Sequence, residues 1–302
     1  MARTKALLVL FTIGAAWGLT IPLGKIAVST GHGAAGLIVW ELVIAIAILA
    51  AGGLWRLNIR LTAKRLRLFA VVAAMGTLAP QYASYIAAAE LPAGVMAIVI
   101  AIAPMFALPI AIALRLERPA LRRGVGVLLG GAAVVVLVGP EASLPDSAKV
   151  GFVFVALIAP VCYAVESNYI AWRTTDGLNP AEVLFGASIL GLAVVAPIAI
   201  VTGTWISPIR PWNAPEWSLV GLAALHVVAY WSYIWLINRA GAVFSSQVAY
   251  LVTGTGVLWS ILILSEVYSG WIWAALGLML AGIAMVRPRG GRAETPRRVA
   301  AE

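Results

Sequence analysis

The sequence predicts an all-helical integral membrane protein: ten transmembrane helices form two inverted five-helix repeats, with both termini cytoplasmic. Three observations predict this fold: the composition, the length of the apolar runs and the position of the basic residues. Of the 302 residues, 62% are hydrophobic and 11% are charged. A soluble domain is about half apolar and about a quarter charged. Most apolar runs here lack a polar stripe, which is typical of helices in lipid.

The apolar runs have the length of membrane spans. Crossing a hydrocarbon core of about 30 Å takes ~20 helical residues, and the chain divides into ten runs of about that length. The predicted spans are 7–28, 36–55, 66–88, 93–115, 121–139, 150–172, 180–202, 217–238, 243–265 and 268–286. Because the connections are short, neighbouring helices are antiparallel, and no room remains for a separate soluble domain.

Basic residues lie on alternate connections between these spans. The opposite side carries only Lys149 and Arg210, and Lys25 lies within a span. The remaining basic residues are Arg3, Lys5, Arg56, Arg60, Lys64, Arg65, Arg67, Arg115, Arg118, Arg122, Arg123, Arg173, Arg239, Arg287, Arg289, Arg292, Arg297 and Arg298. The positive-inside rule therefore places both termini in the cytoplasm. A nucleic-acid surface would be clustered and interleaved with aromatic residues, so no nucleic-acid partner is predicted.

An aromatic phrase occurs twice in the chain. The letters YASYI begin at Tyr82, and the letters YWSYI begin at Tyr230. The alignment also matches Tyr85 with Tyr233, and it extends through the apolar segments that follow. The two halves are therefore predicted to be copies of one five-helix unit.

The repeat sets the predicted domain organisation. Five is an odd number of spans, so the two copies have opposite orientations, as in transporters built from inverted repeats. We expect a first repeat at 1–140, a periplasmic linker at 141–149, a second repeat at 150–286 and a basic cytoplasmic tail at 287–302.

Several short motifs carry a resemblance to a known family. They are AAWGLTIPLGK in the first span, a Pro-Ala-Gly opening and a central Pro104 in the fourth, RLERP at its end, and a glycine-rich fifth span. In these motifs the chain resembles the EamA-type, ten-helix bacterial transporters of the drug/metabolite transporter superfamily, particularly the aromatic and neutral amino-acid exporters. The resemblance implies an inner-membrane carrier whose central cavity is lined mainly by helices 1, 3, 4, 6, 8 and 9.

Two spans contain helix-perturbing residues near their middle. Pro104 lies in the fourth span, and Gly254 lies in the ninth, where Thr253-Gly254-Thr255-Gly256 replaces the proline. Transporters bind substrate where corresponding helices of the two halves are interrupted. Proline removes a backbone donor and glycine permits close approach. Both positions are therefore candidate binding residues, the alternative being a kink without a ligand.

Aromatic residues and a histidine form a second group of candidates. His226, Tyr230 and Tyr233 have the spacing i, i+4 and i+7, so they share one helix face, which we expect to line the cavity. A histidine bonded to a backbone carbonyl is the alternative. The two tyrosine pairs of the repeat, Tyr82 with Tyr85 and Tyr230 with Tyr233, are candidate gates that close the transport path on opposite sides of the membrane. The alternative is aromatic packing between helices. Trp17 and Tyr163 are further candidates for stacking on a substrate ring; the alternative is that they only fill space between helices.

Polar residues inside spans are costly and need a reason. Glu166 and Asn168 lie in the sixth span, where the glutamate could bind a substrate ammonium, carry a proton or bond a neighbouring helix. Lys25 and Glu41 lie at similar depth, so we expect an ion pair between them; Lys25 could instead attract a carboxylate at the outer mouth. Glu117 aligns with Glu266, and both are predicted to make polar contacts at helix ends, outside the site.

Other chemistry finds little support in the sequence. Cys162 is the only cysteine, which excludes a disulfide framework and cysteine-rich metal sites. No HExxH, Gly-x-Ser-x-Gly or paired aspartates occur in the spans, so an enzyme is disfavoured, and neither a cofactor nor a metal is predicted. Gly126 and Gly130 form a GxxxG that could serve a homodimer or packing within the bundle.

The combined prediction is a secondary carrier that exports small amphipathic metabolites, chiefly aromatic and neutral amino acids, by alternating access. Its partners are the lipid bilayer and the small-molecule substrate. A carrier of organic cations or drugs is an alternative, and a nucleotide-sugar carrier would need more basic residues in its cavity. A channel and a membrane protein without transport activity, such as an enzyme or receptor-like scaffold, are further alternatives.

Overall fold

The computed structural model describes residues 3–53, 60–138, 149–209, 211–240 and 247–286. Within these ranges the chain forms helices and turns and no strand, which confirms the all-helical prediction. The helices are α1 (Arg3–Ala27), α2 (Ala34–Ala51), α3 (Ala63–Val71), α4 (Ala79–Glu90), α5 (Ala93–Ile100), α6 (Ala103–Ala113), α7 (Leu121–Val138), α8 (Val150–Arg173), α9 (Pro180–Val201), α10 (Ala214–Ala240), α11 (Val248–Leu264) and α12 (Gly270–Val286). The predicted tail, most of the predicted linker, Arg56 and Arg210 lie outside the described residues.

Many of these helices are apolar over a full membrane thickness. Six helical stretches among the described residues are long and apolar enough to cross a membrane: Leu7–Ala27, Ala34–Ala51, Ala93–Ala113, Leu121–Val138, Val150–Arg173 and Pro180–Val201. Ala93–Ala113 comprises α5, a short turn and α6. Two shorter helices, Val248–Leu264 and Gly270–Val286, are also apolar. In lipid, a helix satisfies its own backbone hydrogen bonds, which makes it the form that such apolar runs adopt.

The third predicted span contains a widened turn that the sequence analysis missed. Between α3 and α4 the chain forms a π-helical segment, Val72–Leu78, and the N–H of Ala79 bonds the carbonyl of Ala74. Pro80 follows directly and has no N–H to give to the carbonyl of Gly76 four residues earlier. The wider register accommodates this loss, and such turns are frequent at functional sites.

The fourth predicted span is two helices rather than one kinked helix. A turn at Ala101 and Ile102 separates α5 from α6, and Pro104 lies in the first turn of α6. Proline is tolerated in a first turn because the N–H groups there have no helical acceptor. The position predicted as the middle of a helix is thus the beginning of one.

The ninth predicted span is not interrupted. Helix α11 runs through Gly254 without a break, contrary to the expectation of matching interruptions in the two halves. Glycine keeps its N–H and can remain in a helix, at a cost in conformational entropy, whereas proline cannot donate. The threonine before it supports the turn, since the Oγ1 atom of Thr253 donates to the carbonyl of Ala249 at 2.9 Å.

The two halves pack against each other in a reciprocal way. Helix α1, the first of its half, packs against α10 and α11, and α8, the first of the other half, packs against α4 and α6. Helices α2 and α9 pair across the halves, as do α7 and α12. The contact of α1 with α11 is close: a Cβ on Gly18 would lie 2.2 Å from the Oγ1 atom of Thr255.

The GxxxG sequence is used within the chain. A Cβ on Gly126 would lie 2.8 Å from the carbonyl oxygen of Gly282 in α12, and a Cβ on Gly130 would overlap Met105 of α6. Of the two alternatives stated for this motif, the structure shows packing within the bundle. A homodimer would therefore use another surface.

Candidate functional site

A buried carboxylate lies at the contact between the two halves. Glu41 of α2 is 7% exposed and accepts three hydrogen bonds. Gln81 Nε2 donates to Oε1 at 2.7 Å, and Tyr85 Oη donates to Oε2 at 2.9 Å, both from α4. The third partner comes from the other half: His226 Nδ1 of α10 lies 3.2 Å from Oε1. We call these four side chains the Glu41 cluster.

The expected ion pair between Lys25 and Glu41 does not form. The Nζ atom of Lys25 donates to the carbonyl oxygens of Ala88 and Ala89, at 2.6 and 3.0 Å, near the end of α4. Helix ends leave carbonyls without helical donors, and these are the groups that Lys25 satisfies. Similar depth along the spans did not imply adjacency, because the two side chains lie against different parts of α4: Lys25 at its end, and Glu41 beside Gln81 and Tyr85.

A second carboxylate lies beside the π segment. A Cβ added to Gly76 would lie 2.5 Å from the Oε1 atom of Glu166, so the missing side chain of the glycine makes the space that this carboxylate occupies. Among the described residues, no side chain or backbone group hydrogen-bonds or ion-pairs with Glu166. The phenols of Tyr163 and Tyr230 are close enough to interact electrostatically with it. An anionic group with aromatic neighbours can bind a small ammonium.

The aromatic residues predicted as matching pairs occupy different surroundings. Tyr82 is 49% exposed and lines an apolar groove of about 400 Å³ with side chains of α2, α8 and α9. Its repeat partner, Tyr230, is partly buried near Glu166. Tyr233 packs edge-on against Trp17, with ring centroids 6.1 Å apart, whereas Tyr85 is buried against Glu41.

The remaining candidates fall into two groups. Asn168 is 5% exposed, and its Nδ2 atom donates to the carbonyls of Ala164 and Ala107, which joins α8 to α6. This amide is used by the protein itself. Gly254 has open space where a side chain would be, and Pro104 lies in the first turn of α6. The structure thus brings Glu41, Tyr85 and His226 together and leaves Asn168 engaged elsewhere.

Sequence reasoning missed Gln81 and Gly76. Gln81 has the i, i+4 spacing to Tyr85, so helical periodicity could have placed both on one face. Gly76 showed no signal of its own, because its role depends on Glu166, 90 residues later in the chain. Four residues after Gly76, however, comes Pro80 inside an apolar span, and this is a sign of a local change in the helix.

The chain is similar to known proteins over nearly its whole length. The model of the EamA-like transporter family matches residues 4–139 and again residues 151–287. Among solved structures, 14 chains match. One of them, a crystal structure of a protein, has a TM-score of 0.57, 19% sequence identity and coverage of 94% of this chain and 96% of its own. At this identity the likeness shows the fold alone. No curated protein matches the chain.

Proposed function

The chain belongs to the EamA-like transporter family and is a multi-pass membrane transporter of the drug/metabolite transporter superfamily; we propose that it exports small amphipathic metabolites, chiefly aromatic and neutral amino acids. The family has a two-repeat architecture, and the repeat found in the sequence agrees with the two matched ranges. Substrate would bind across the halves and shift the balance between inward-open and outward-open states.

The observation that carries the substrate class is the Glu166 carboxylate beside Gly76. A carboxylate within a span is costly unless it is paired or functional, and Glu166 has no hydrogen-bond partner among the described residues. A substrate ammonium would supply the missing donors. The nearby rings of Tyr163 and Tyr230 would accept an apolar or aromatic side chain. Stacking tolerates many shapes, which supports broad selectivity.

The other predicted site residues have supporting parts in this proposal. Trp17 and Tyr233 form one aromatic wall, and Pro104 lies in the first turn of α6, beside the turn that separates it from α5. Tyr82, Asn168 and Gly254 would act through helix contacts and closure. The Glu41 cluster would hold the two halves in register, since it joins α2 and α4 to α10.

A carrier of organic cations is the second candidate. It is favoured by the charge of the interior: Glu41 and Glu166 are both within the bundle, while the ammonium of Lys25 is held by two carbonyls. A nucleotide sugar or another organic phosphate would find no free cation near Glu166 among the described residues. This distribution of charge argues for substrates that carry a positive group.

We also propose the finer membrane arrangement. Ten spans would cross a bacterial-type inner membrane, with two inverted repeats at 1–140 and 150–286, a periplasmic linker at 141–149 and a cytoplasmic tail at 287–302. Spans 36–55 and 217–238 would thus belong to opposite repeats. Reporter fusions after each predicted span would test this arrangement. If a reporter that functions only in the periplasm is active when fused to the C-terminus, the cytoplasmic tail is contradicted.

The function is tested by transport in proteoliposomes. Labelled phenylalanine would be exchanged against unlabelled amino acids at equal pH on both sides, with leucine, threonine, tetraphenylphosphonium and a nucleotide sugar as competitors. We expect saturable exchange, inhibited by the amino acids and not by the nucleotide sugar. Inhibition by tetraphenylphosphonium that is much stronger than inhibition by leucine and threonine would favour the organic-cation carrier. Absence of saturable exchange of any probe by folded protein would contradict a carrier function.

A further inference from the structure

We propose that the Glu41–His226 pair is the site at which the transporter binds a counter-transported proton, separate from the substrate carboxylate of Glu166. This inference rests on the proposed carrier function. The sequence alone names Glu166 as a possible proton carrier and predicts an ion pair between Glu41 and Lys25. The contacts of Glu41 assign it a different role.

The Glu41 cluster can hold and release a proton without losing its hydrogen bonds. Three donors suit an ionised carboxylate, which only accepts. When the carboxylate is protonated, the hydroxyl of Tyr85 can turn and accept, and the imidazole of His226 can change its tautomer or charge. Only Gln81 is fixed as a donor by its amide. The bonds at 2.7, 2.9 and 3.2 Å are therefore compatible with either proton count.

The helices packed against Glu41 bring few other titratable groups to this pair. Helix α2 has no titratable side chain besides Glu41, and in α9, packed against it, the only one is Glu182, in the capping box of its first turn. Helix α4 presents the phenol of Tyr85, and Tyr163 of α8 lies within electrostatic range. An isolated negative charge at this depth is costly, and a protonated His226 offsets it.

Access and location fit a coupling role. The side chain of His226 is 33% exposed, whereas that of Glu41 is 9% exposed, so the imidazole is the more accessible partner of the pair and the one through which we propose the proton reaches the buried carboxylate. Glu41 belongs to the first half and His226 to the second, so a movement of one half against the other acts on the bond between them. Tyr163 lies within electrostatic range of both Glu41 and Glu166, so the proton site and the substrate site have a common neighbour.

The chain supplies its own matched control. Its other histidine also pairs with a glutamate across the halves: His32 Nε2 lies 2.7 Å from Glu216 Oε1. Glu216 lies in the first turn of α10, ten residues before His226, outside the proposed site. The substitution Glu216→Gln therefore removes the same kind of carboxylate from the same kind of pair and should leave coupling unchanged.

The experiment separates coupling from transport in one preparation. Exchange of labelled phenylalanine at equal pH measures the carrier itself. Uptake into vesicles with an acidic lumen, together with proton release reported by a trapped pH-sensitive dye, measures coupling. We expect wild type and E216Q to show both activities. E41Q should lose the pH-gradient stimulation and the proton release by at least about tenfold, while its exchange falls by a smaller factor. H226Q should show the same pattern.

Each other outcome has a definite meaning. Wild-type exchange that does not respond to the gradient overturns the proton site, whatever the variants do. A response of wild-type size in E41Q also overturns it. Loss of exchange and coupling together in folded E41Q would make Glu41 a substrate-binding residue instead. If E41Q does not fold, H226Q decides in its place, because it leaves Glu41 with two donors. Absence of exchange in wild type would contradict the carrier function itself.

Discussion

Glu266 of the second half caps a helix of the first half: its Oε1 atom accepts a hydrogen bond from the backbone N–H of Ala93 at 2.9 Å. The Oε2 atom accepts from the next amide, Gly94, at 3.3 Å and from the hydroxyl of Tyr268. The first N–H groups of a helix have no helical acceptor, and the helix dipole favours an anion there. The sequence predicted a helix-end contact for Glu266. In the structure its carboxylate accepts hydrogen bonds from the backbone N–H groups of the first turn of α5.

Glu266→Ala should destabilise the protein, because the amide of Ala93 loses its acceptor and the amide of Gly94 keeps only the hydroxyl of Tyr268. Loss of a cap costs ~0.5–2 kcal/mol. Glu117→Ala is the control, since Glu117 aligns with Glu266 in the repeat but pairs with Arg123 on its own half and is 39% exposed. Thermal unfolding in detergent should show a lower midpoint for E266A than for E117A. Equal midpoints would mean that the cap contributes nothing.

Gly76→Ala should impair transport more than stability. The added Cβ would lie 2.5 Å from the Oε1 atom of Glu166 and must displace the carboxylate. We expect the KM for phenylalanine exchange to rise by about tenfold, because substrate binding is weakened equally in the ground state and the transition state. Gly131→Ala in α7 is the control, because nothing lies within 4 Å of its added Cβ. A normal KM in G76A would remove the carboxylate from the substrate site.

Glu166→Gln should weaken substrate binding and keep the response to pH. The amide has the shape of the carboxylate but no charge, so the attraction for an ammonium is lost and the KM should rise by about tenfold or more. Glu166→Asp should recover part of the affinity. Exchange kinetics and gradient-driven uptake provide the two readings. Loss of the pH response at unchanged KM would assign the proton to Glu166 and contradict the separation of the two sites.

Tyr82→Ala and Tyr230→Ala should impair transport more than folding, since their repeated positions make them candidate closures. Their different surroundings predict different effects: Tyr230 lies near Glu166, whereas Tyr82 lines the apolar groove. We expect the larger loss of exchange in Y230A, and Y230F should retain the ring and most of the activity. Wild-type exchange in both alanine variants, with unchanged thermal midpoints, would end the closure hypothesis.

The helical class and the repeat could be predicted because they depend on local pattern. An apolar run must form a helix in lipid to satisfy its own backbone groups. Local backbone detail was harder: the sequence placed Pro104 at the middle of a helix, and the structure places it in the first turn of α6. The π segment was also missed, since the choice between a kink, a break and a wider turn depends on what packs around the proline.

By itself, the sequence determined that this chain is an all-helical membrane protein with two related halves, and it identified most of the polar residues of the interior. Only the tertiary structure decided which of them meet. Glu41 was expected beside Lys25 and instead bonds His226, 185 residues away. Composition and periodicity act over one or two helical turns, whereas hydrogen bonds between helices depend on which faces pack together. That packing places Glu41 beside α4 and α10, and it leaves Lys25 at the end of α4.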